Sequence, residues 1–155
     1  MYNFFKPKPG RFGVAPVLVN SGQIGGTNYL GGASPLTANT ATTFRLGGTA
    51  GRRVAVSRFG ASVVTVPADA DGTITAVLQK YNAVTNAAVT LTGPIDLEAL
   101  VTREQASVPL LASVTPAQAT LGPNDTLEVV VTNNSAAINT QPAGLVFTVE
   151  LLVQE

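Results

Sequence analysis

The stretch Leu145-Val146-Phe147-Thr148-Val149-Glu150-Leu151-Leu152-Val153-Gln154 decides the fold. Leu145, Phe147, Val149, Leu151 and Val153 share one face of an extended chain, and Thr148, Glu150 and Gln154 share the other. Period-two alternation of this kind is what a strand with one buried face requires, whereas a helix would scatter the same side chains around its axis. Upstream, Leu127, Val129 and Val131 alternate with Glu128, Val130 and Thr132 behind the turn Gly122-Pro123-Asn124-Asp125. Ile74, Ala76 and Leu78 repeat the pattern after Asp71-Gly72, a strong hairpin-turn signal. Val89 and Leu91 alternate with Thr90 and Thr92 beyond a turn from Tyr81-Asn82 to Thr85-Asn86, and Gly93-Pro94 then breaks the chain. Val54 and Val56, and then Val64 and Val66, carry the pattern further back. Residues 95–106 contain good helix formers, with Pro94 suited to a first helical turn. They also alternate, Ile95, Leu97, Ala99 and Val101 against Asp96, Glu98 and Thr102, so a strand is expected, with a short helical turn at 102–106. Roughly seven to nine short strands, with turn signals about every 8–12 residues, predict an all-β, antiparallel β-sandwich that is jelly-roll-like.

Residues 1–51 read differently. Lys6-Pro7-Lys8-Pro9-Gly10 forbids helix, because each proline biases its predecessor toward extended geometry. Gly22, Gly25, Gly26, Gly31, Gly32, Gly47, Gly48 and Gly51 follow, interleaved with Tyr2, Phe4, Phe5, Phe12, Tyr29 and Phe44. A plain flexible linker carries few aromatics. The expectation is an extended Gly/Pro-rich N-terminal arm over 1–51 whose aromatics fill shallow pockets on a partner, joined to a β-sandwich domain over 52–155.

Zero net charge hides an asymmetry. Residues 1–68 carry Lys6, Lys8, Arg11, Arg45, Arg52, Arg53 and Arg58 with no Asp or Glu, a balance of +7. Residues 69–155 carry nine carboxylates against Lys80 and Arg103, a balance of −7. Such a split points to a basic arm lying on an acidic surface: nucleic acid, another protein, or the C-terminal half of a neighbouring copy. Exposed ion pairs contribute only about 0.2–1 kcal/mol each, so they would steer an assembly without holding it alone.

Composition closes off much chemistry. The chain has no Cys, no His and no Trp, which removes disulfides, thiolate nucleophiles, the commonest metal ligand and the commonest general base. No nucleophile–base constellation is legible, so no enzyme activity and no cofactor are expected. Asp69-Ala70-Asp71-Gly72 resembles the opening of a calcium loop, but its twelfth position is Lys80, so a hairpin turn is expected there. Gly47-Gly48-Thr49-Ala50-Gly51-Arg52-Arg53 has the look of a phosphate cradle without its Lys-Ser/Thr ending, and reads as a hinge from arm to sandwich. Glu98 with Glu104, or Asp69 with Asp71, are carboxylate pairs of the kind a glycosidase uses, but they read as solvated surface groups. Asn124-Asp125-Thr126 and Asn133-Asn134-Ser135 match the glycosylation pattern and read as turn residues. Met1 to Gly10 lacks the apolar core of a signal peptide, and no apolar run approaches membrane-spanning length, so a soluble chain made and used in a cytosol, or assembled there, is expected.

Several runs resemble the head-associated structural proteins of tailed bacteriophages: Val66-Pro67-Ala68-Asp69-Ala70-Asp71-Gly72-Thr73-Ile74, Thr90-Leu91 with Asp96-Leu97-Glu98-Ala99-Leu100, residues 122–131, and Pro142-Ala143-Gly144 leading into Phe147-Thr148-Val149-Glu150-Leu151. The resemblance covers about residues 52–155. It implies a small capsid decoration, or cement, protein: a structural virion protein on the outer surface of a phage capsid, with the major capsid protein and neighbouring copies of itself as partners, in a homo-oligomer expected to be a trimer. On that reading Tyr2, Phe4, Phe5 and Phe12 are arm anchors and Lys6, Lys8 and Arg11 are steering charges. Arg52, Arg53 and Arg58 are candidates for pairing with a neighbour's acidic face. The alternative is a receptor- or carbohydrate-binding sandwich of a head fibre or tail accessory protein, with its ligand in loops such as 133–144. Nucleic-acid binding by the arm is disfavoured, because the acidic remainder would repel a polyanion.

Overall fold

The computed structural model of the 155-residue chain describes residues 12–13, 19–20, 36–48, 54–69 and 71–154. Its strands are β1 (Phe12–Gly13), β2 (Val19–Asn20), β3 (Thr40–Gly48), β4 (Val54–Ser62), β5 (Ala68–Asp69), β6 (Ile74–Asn82), β7 (Ala87–Thr90), β8 (Ile95–Asp96), β9 (Gln105–Pro109), β10 (Thr120–Leu121), β11 (Asp125–Asn133), β12 (Ile138–Thr140) and β13 (Val146–Gln154). One helical turn, α1 (Pro116–Ala119), lies between β9 and β10, capped by Thr115 and Gln118 in a reciprocal capping box. Every pairing between strands is antiparallel.

Two sheets share one core. In the first, β13 and β4 are central; β1 and β2 both pair with the outer edge of β13, and β9 and β10 both pair with the outer edge of β4. In the second the order is β3-β11-β6, with β7 and β8 both along the far side of β6. Counting β1 with β2, β7 with β8 and β9 with β10 as single interrupted strands, the chain orders them 1-8-3-6 in one sheet and 2-7-4-5 in the other. This is the double Greek key of a jelly roll. The interruptions have local causes. Gly93-Pro94 halts the ladder between β7 and β8, and the Thr92 hydroxyl stands in for a backbone partner by accepting from Leu78 N–H at 3.1 Å.

The core is a layer of inward side chains. Ile74, Ala76 and Leu78 of β6, Leu127, Val129 and Val131 of β11, and Phe147, Val149 and Leu151 of β13 are buried as their alternation requires. Phe147 links the sheets: its ring centroid lies 5.7 Å from that of Phe59 on β4 and 6.4 Å from that of Phe44 on β3. In β4 the alternation changes phase. Ser57 is an extra residue, since Leu151 pairs with Val56 and Glu150 with Arg58. The bulge turns Val54 and Val56, then Phe59, Ala61 and Val63, all inward. That corrects the strand expected at Val64 and Val66: β4 stops at Ser62, and Val64 is exposed.

Other expectations are corrected too. The sandwich does not begin at residue 52. Thr40–Gly48 is a full strand of the second sheet, Leu36 and Phe44 are core residues, and Phe12–Gly13 and Val19–Asn20 pair with β13. The glycine-rich composition concealed this strand, because Gly47 and Gly48 fall at its very end. Of the expected hinge, Gly47 and Gly48 end β3, and residues 49–53 lie outside the described residues. Residues 95–106 are not one strand: Ile95–Asp96 pairs with β6, turns follow, and a new strand starts at Gln105. Asp71-Gly72 is a turn but not a hairpin, since β5 pairs with β12 while β6 pairs with β11. The hairpin at Asn82–Asn86 is formed, with Asn82 Oδ1 accepting from Val84 and Thr85 N–H and Asn86 in the left-handed region.

The end of the sandwich near α1 is closed by Lys80, the next inward position after Leu78. Its ammonium donates to Thr120 O at 3.0 Å and lies 3.7 Å from Asp125 Oδ2. Burial alone would raise the Asp125 pKa. The Gly122 N–H and Asn82 amide bonds and the Lys80 charge outweigh it, so the carboxyl is held below its ordinary value of 3.8.

Truncating Phe44 to Ala should lower the unfolding free energy by about 3–5 kcal/mol in a urea melt; no change would return residues 36–48 to an arm. Lys80→Met should cost about 1–3 kcal/mol, because Thr120 O and Asp125 lose their partner. A depressed folded pKa contributes stability that is complete above the unfolded value and drains as pH falls through the folded one. Stability of Asp125→Asn should therefore fall less steeply than that of the parent as the pH is lowered below about 4.

Candidate functional site

The strand ends gather the loops at two opposite ends of the sandwich. One is closed by α1 and Lys80. The other holds residues 36–39, the 63–73 connection with β5, the 97–104 turns and the 134–145 connection with β12. Side chains stitch these loops together. Glu98 reaches between them, Oε1 accepting from Asp69 N–H at 3.0 Å and Oε2 from Ile74 N–H at 3.1 Å. Asp96 Oδ1 accepts from Glu98 N–H, and Asp69 Oδ1 from Gly72 N–H, both at 3.0 Å. Ser135 Oγ donates to Asp71 Oδ1 at 3.0 Å, while Asn133, itself buried, accepts from Ser135 N–H and donates to Thr37 O. Gln141 Nε2 donates to Leu36 O at 2.9 Å.

This end also collects the acidic surplus. The described residues carry Arg45, Arg58, Lys80 and Arg103 against Asp69, Asp71, Asp96, Glu98, Glu104, Asp125, Glu128 and Glu150. Elsewhere the charges cancel. Arg45 Nε donates to Glu128 Oε1 at 3.0 Å, with Gln79 completing the carboxylate and the guanidinium lying over the Tyr81 ring. Lys80 meets Asp125, and Arg58 stands opposite Glu150 across the β4–β13 ladder. What remains is Asp69, Asp71, Asp96, Glu98 and Glu104 with Arg103, a balance of −4, all at one end of the sandwich. Two exposed apolar side chains lie among them, Val64 at 47% and Val101 at 58%. They belong to loops in contact, since Arg103, in the left-handed region at φ 65°, donates its N–H to Val63 O at 2.8 Å.

Of the residues singled out in the sequence, Tyr2, Phe4, Phe5, Lys6, Lys8, Arg11, Arg52 and Arg53 lie outside the described residues. Phe12 is placed by its backbone, opposite Gln154 at the α1 end of β13. Arg58 is exposed on the outer face of the first sheet. Glu98 and Glu104 do not face one another across a cleft, because both Glu98 oxygens are taken by backbone amides. Among the described residues, no three of His, Cys, Asp and Glu come together to hold a metal ion, and no helix is long and apolar enough to cross a membrane. Asn124 is exposed at a turn, whereas Asn133 is structural.

Sequence inspection missed three inward-facing polar positions: Lys80, Asp125 and Asn133. Parity was the available signal. Lys80 continues the inward series Ile74, Ala76, Leu78, and Asp125 and Asn133 bracket the series Leu127, Val129, Val131. Comparison with protein-family models, curated proteins and solved structures finds no match to the chain.

The loop cluster is packed tightly enough to predict its weakest point. A Cβ at Gly72 would lie 2.7 Å from Ser135 N and Cα, while at Gly93 it would meet nothing within 4 Å. Gly72→Ala should therefore lower stability by about 1–3 kcal/mol. Gly93→Ala should stay within about 0.5 kcal/mol of the parent. Equal denaturation midpoints would show that the two loops do not touch.

Proposed function

We propose that this chain is a structural virion protein that binds the outer surface of a phage capsid and decorates or stabilises it. The observation that carries this reading is the separation of charge. The cations Lys6, Lys8 and Arg11 precede β1 in the sequence together with Tyr2, Phe4 and Phe5, while the described residues of the sandwich balance their charges except at one end. A body of this kind is suited to lie in a lattice, where a sparsely charged Thr-rich surface lowers desolvation cost and many weak contacts add through multivalency. The partnered carboxylates serve the fold: Glu98 holds backbone amides, Glu128 holds Arg45 and Gln79, and Asp125 meets Lys80. The double Greek key serves viral shell proteins and lectins alike, so the fold accommodates the role without assigning it.

A lectin-like reading has one specific feature in its favour. Asn134, Asn139, Thr140 and Gln141 are exposed in one connection, a set of amides and a hydroxyl of the type that binds sugars.

Because β3 begins at Thr40, a truncation that tests the arm must stop well short of it. The full chain and a form lacking residues 1–11 should be sedimented with purified capsids at low and high salt. The full chain should co-sediment, the deletion should weaken binding, and high salt should reduce binding only in part, since aromatic contacts are not screened. Absence of co-sedimentation at any salt, with binding to a glycan array instead, would replace this function with the lectin-like one.

A further inference from the structure

The acidic end and the point where the chain enters β1 lie at opposite ends of the sandwich. β1 pairs with the last residues of β13, Phe12 with Gln154 and Gly13 with Val153, and β2 pairs further back, Val19 with Val149 and Asn20 with Thr148. The chain thus enters the first sheet at the α1 end and runs toward the acidic end. Residues 1–11 precede that entry point. Fully extended they span at most about 40 Å. Turning back to their own acidic end would require a reversal and then the length of β13, about 30 Å for its nine residues. The acidic end of a copy placed head-to-tail needs no reversal.

The chemistry of the two surfaces matches. Asp71, Asp96 and Glu104 are exposed at the acidic end, and Val64 and Val101 are exposed beside them. The segment carries three cations, Lys6, Lys8 and Arg11, behind three aromatics, Tyr2, Phe4 and Phe5, and no anion. We propose that residues 1–11 dock on the acidic end of a second copy of this chain, the cations facing the carboxylates and the aromatics covering Val64 and Val101. The contact is heterologous, so repetition closes a ring or continues as a row of copies. It goes beyond the capsid-binding role and does not depend on it, because copies would link in solution as they would on a shell.

The absence of cysteine makes the contact directly testable. Full-length Asn3→Cys chains are mixed with size-tagged Val101→Cys chains and oxidised, and mixed disulfides are counted on a non-reducing gel. Val84→Cys serves as the control, since Val84 is 70% exposed at the hairpin tip of the opposite end. Mixed disulfide should form several-fold more with Val101→Cys than with Val84→Cys. Adding Lys6→Glu, Lys8→Glu and Arg11→Glu to the Asn3→Cys chain should abolish the preference. About 1 M salt, where the Debye length is about 3 Å, should reduce it. Equal yields at the two positions, or a preference that survives charge reversal, would overturn the proposal. Both acceptor positions are exposed, so thermal melts of the variants should match the parent before oxidation. A chain that cross-links but ignores capsids would remove only the capsid-binding role; one that binds capsids without cross-linking would remove only this contact.

Discussion

The ring of Phe147 is packed between Phe59 of its own sheet and Phe44 of the opposite one, and the rest of the fold answers to that contact. Two sheets stacked about 10 Å apart leave room for a single layer of interdigitating side chains. Each strand must present apolar groups to that layer, and where alternation alone would fail the backbone adjusts. The extra residue Ser57 in β4 brings Phe59 to the inside after Val56, and Phe44 of β3, paired with Val129, faces Phe147. Charged and amide side chains close the layer at its two ends. There Lys80 finds Thr120 O and Asp125, and Asn133 finds Thr37 O and Ser135 N–H, so their desolvation is offset by hydrogen bonds.

A chain with few charges has used them in a particular way. On the outer face of the second sheet, Arg45 covers Glu128 and leaves that carboxylate 6% exposed while staying 71% exposed itself. The pair compensates the charge of a carboxylate that Arg45 and Gln79 cover. The loops of one end carry what is left over. Glu98 there is part of the scaffold, whereas Asp71, Asp96 and Glu104 keep exposure to solvent. These carboxylates share that end with the exposed side chains of Val64 and Val101.

The strand order matters to this picture as much as the charges. In a double Greek key, alternate connections fall at opposite ends, so loops distant in sequence meet. Residues 36–39, 63–73, 97–104 and 134–145 come together only because β3, β4, β6, β11 and β13 are interleaved between two sheets. The same winding leaves the entry of the chain, at β1, at the far end from the carboxylates.

What was legible in the sequence was whatever depends on neighbours along the chain. Alternation in β6, β11 and β13, the turns at Asn82–Asn86 and before Asp125, and the all-β class follow from period-two patterning and turn chemistry, which are local. The strand at Thr40–Gly48 was hidden, because Thr-Ala-Thr-Thr is weakly patterned and its two glycines resemble a linker; pairing with β11 orders it. The phase change in β4 was hidden for the same reason, since a bulge is fixed by the partner strand and not by its own residues. The +7 and −7 halves were countable from the residues alone, but not where the charges would lie. Only the tertiary structure paired Arg45 with Glu128 and Lys80 with Asp125 and left Asp71, Asp96 and Glu104 together, because those distances are set by strand order and not by separation in sequence.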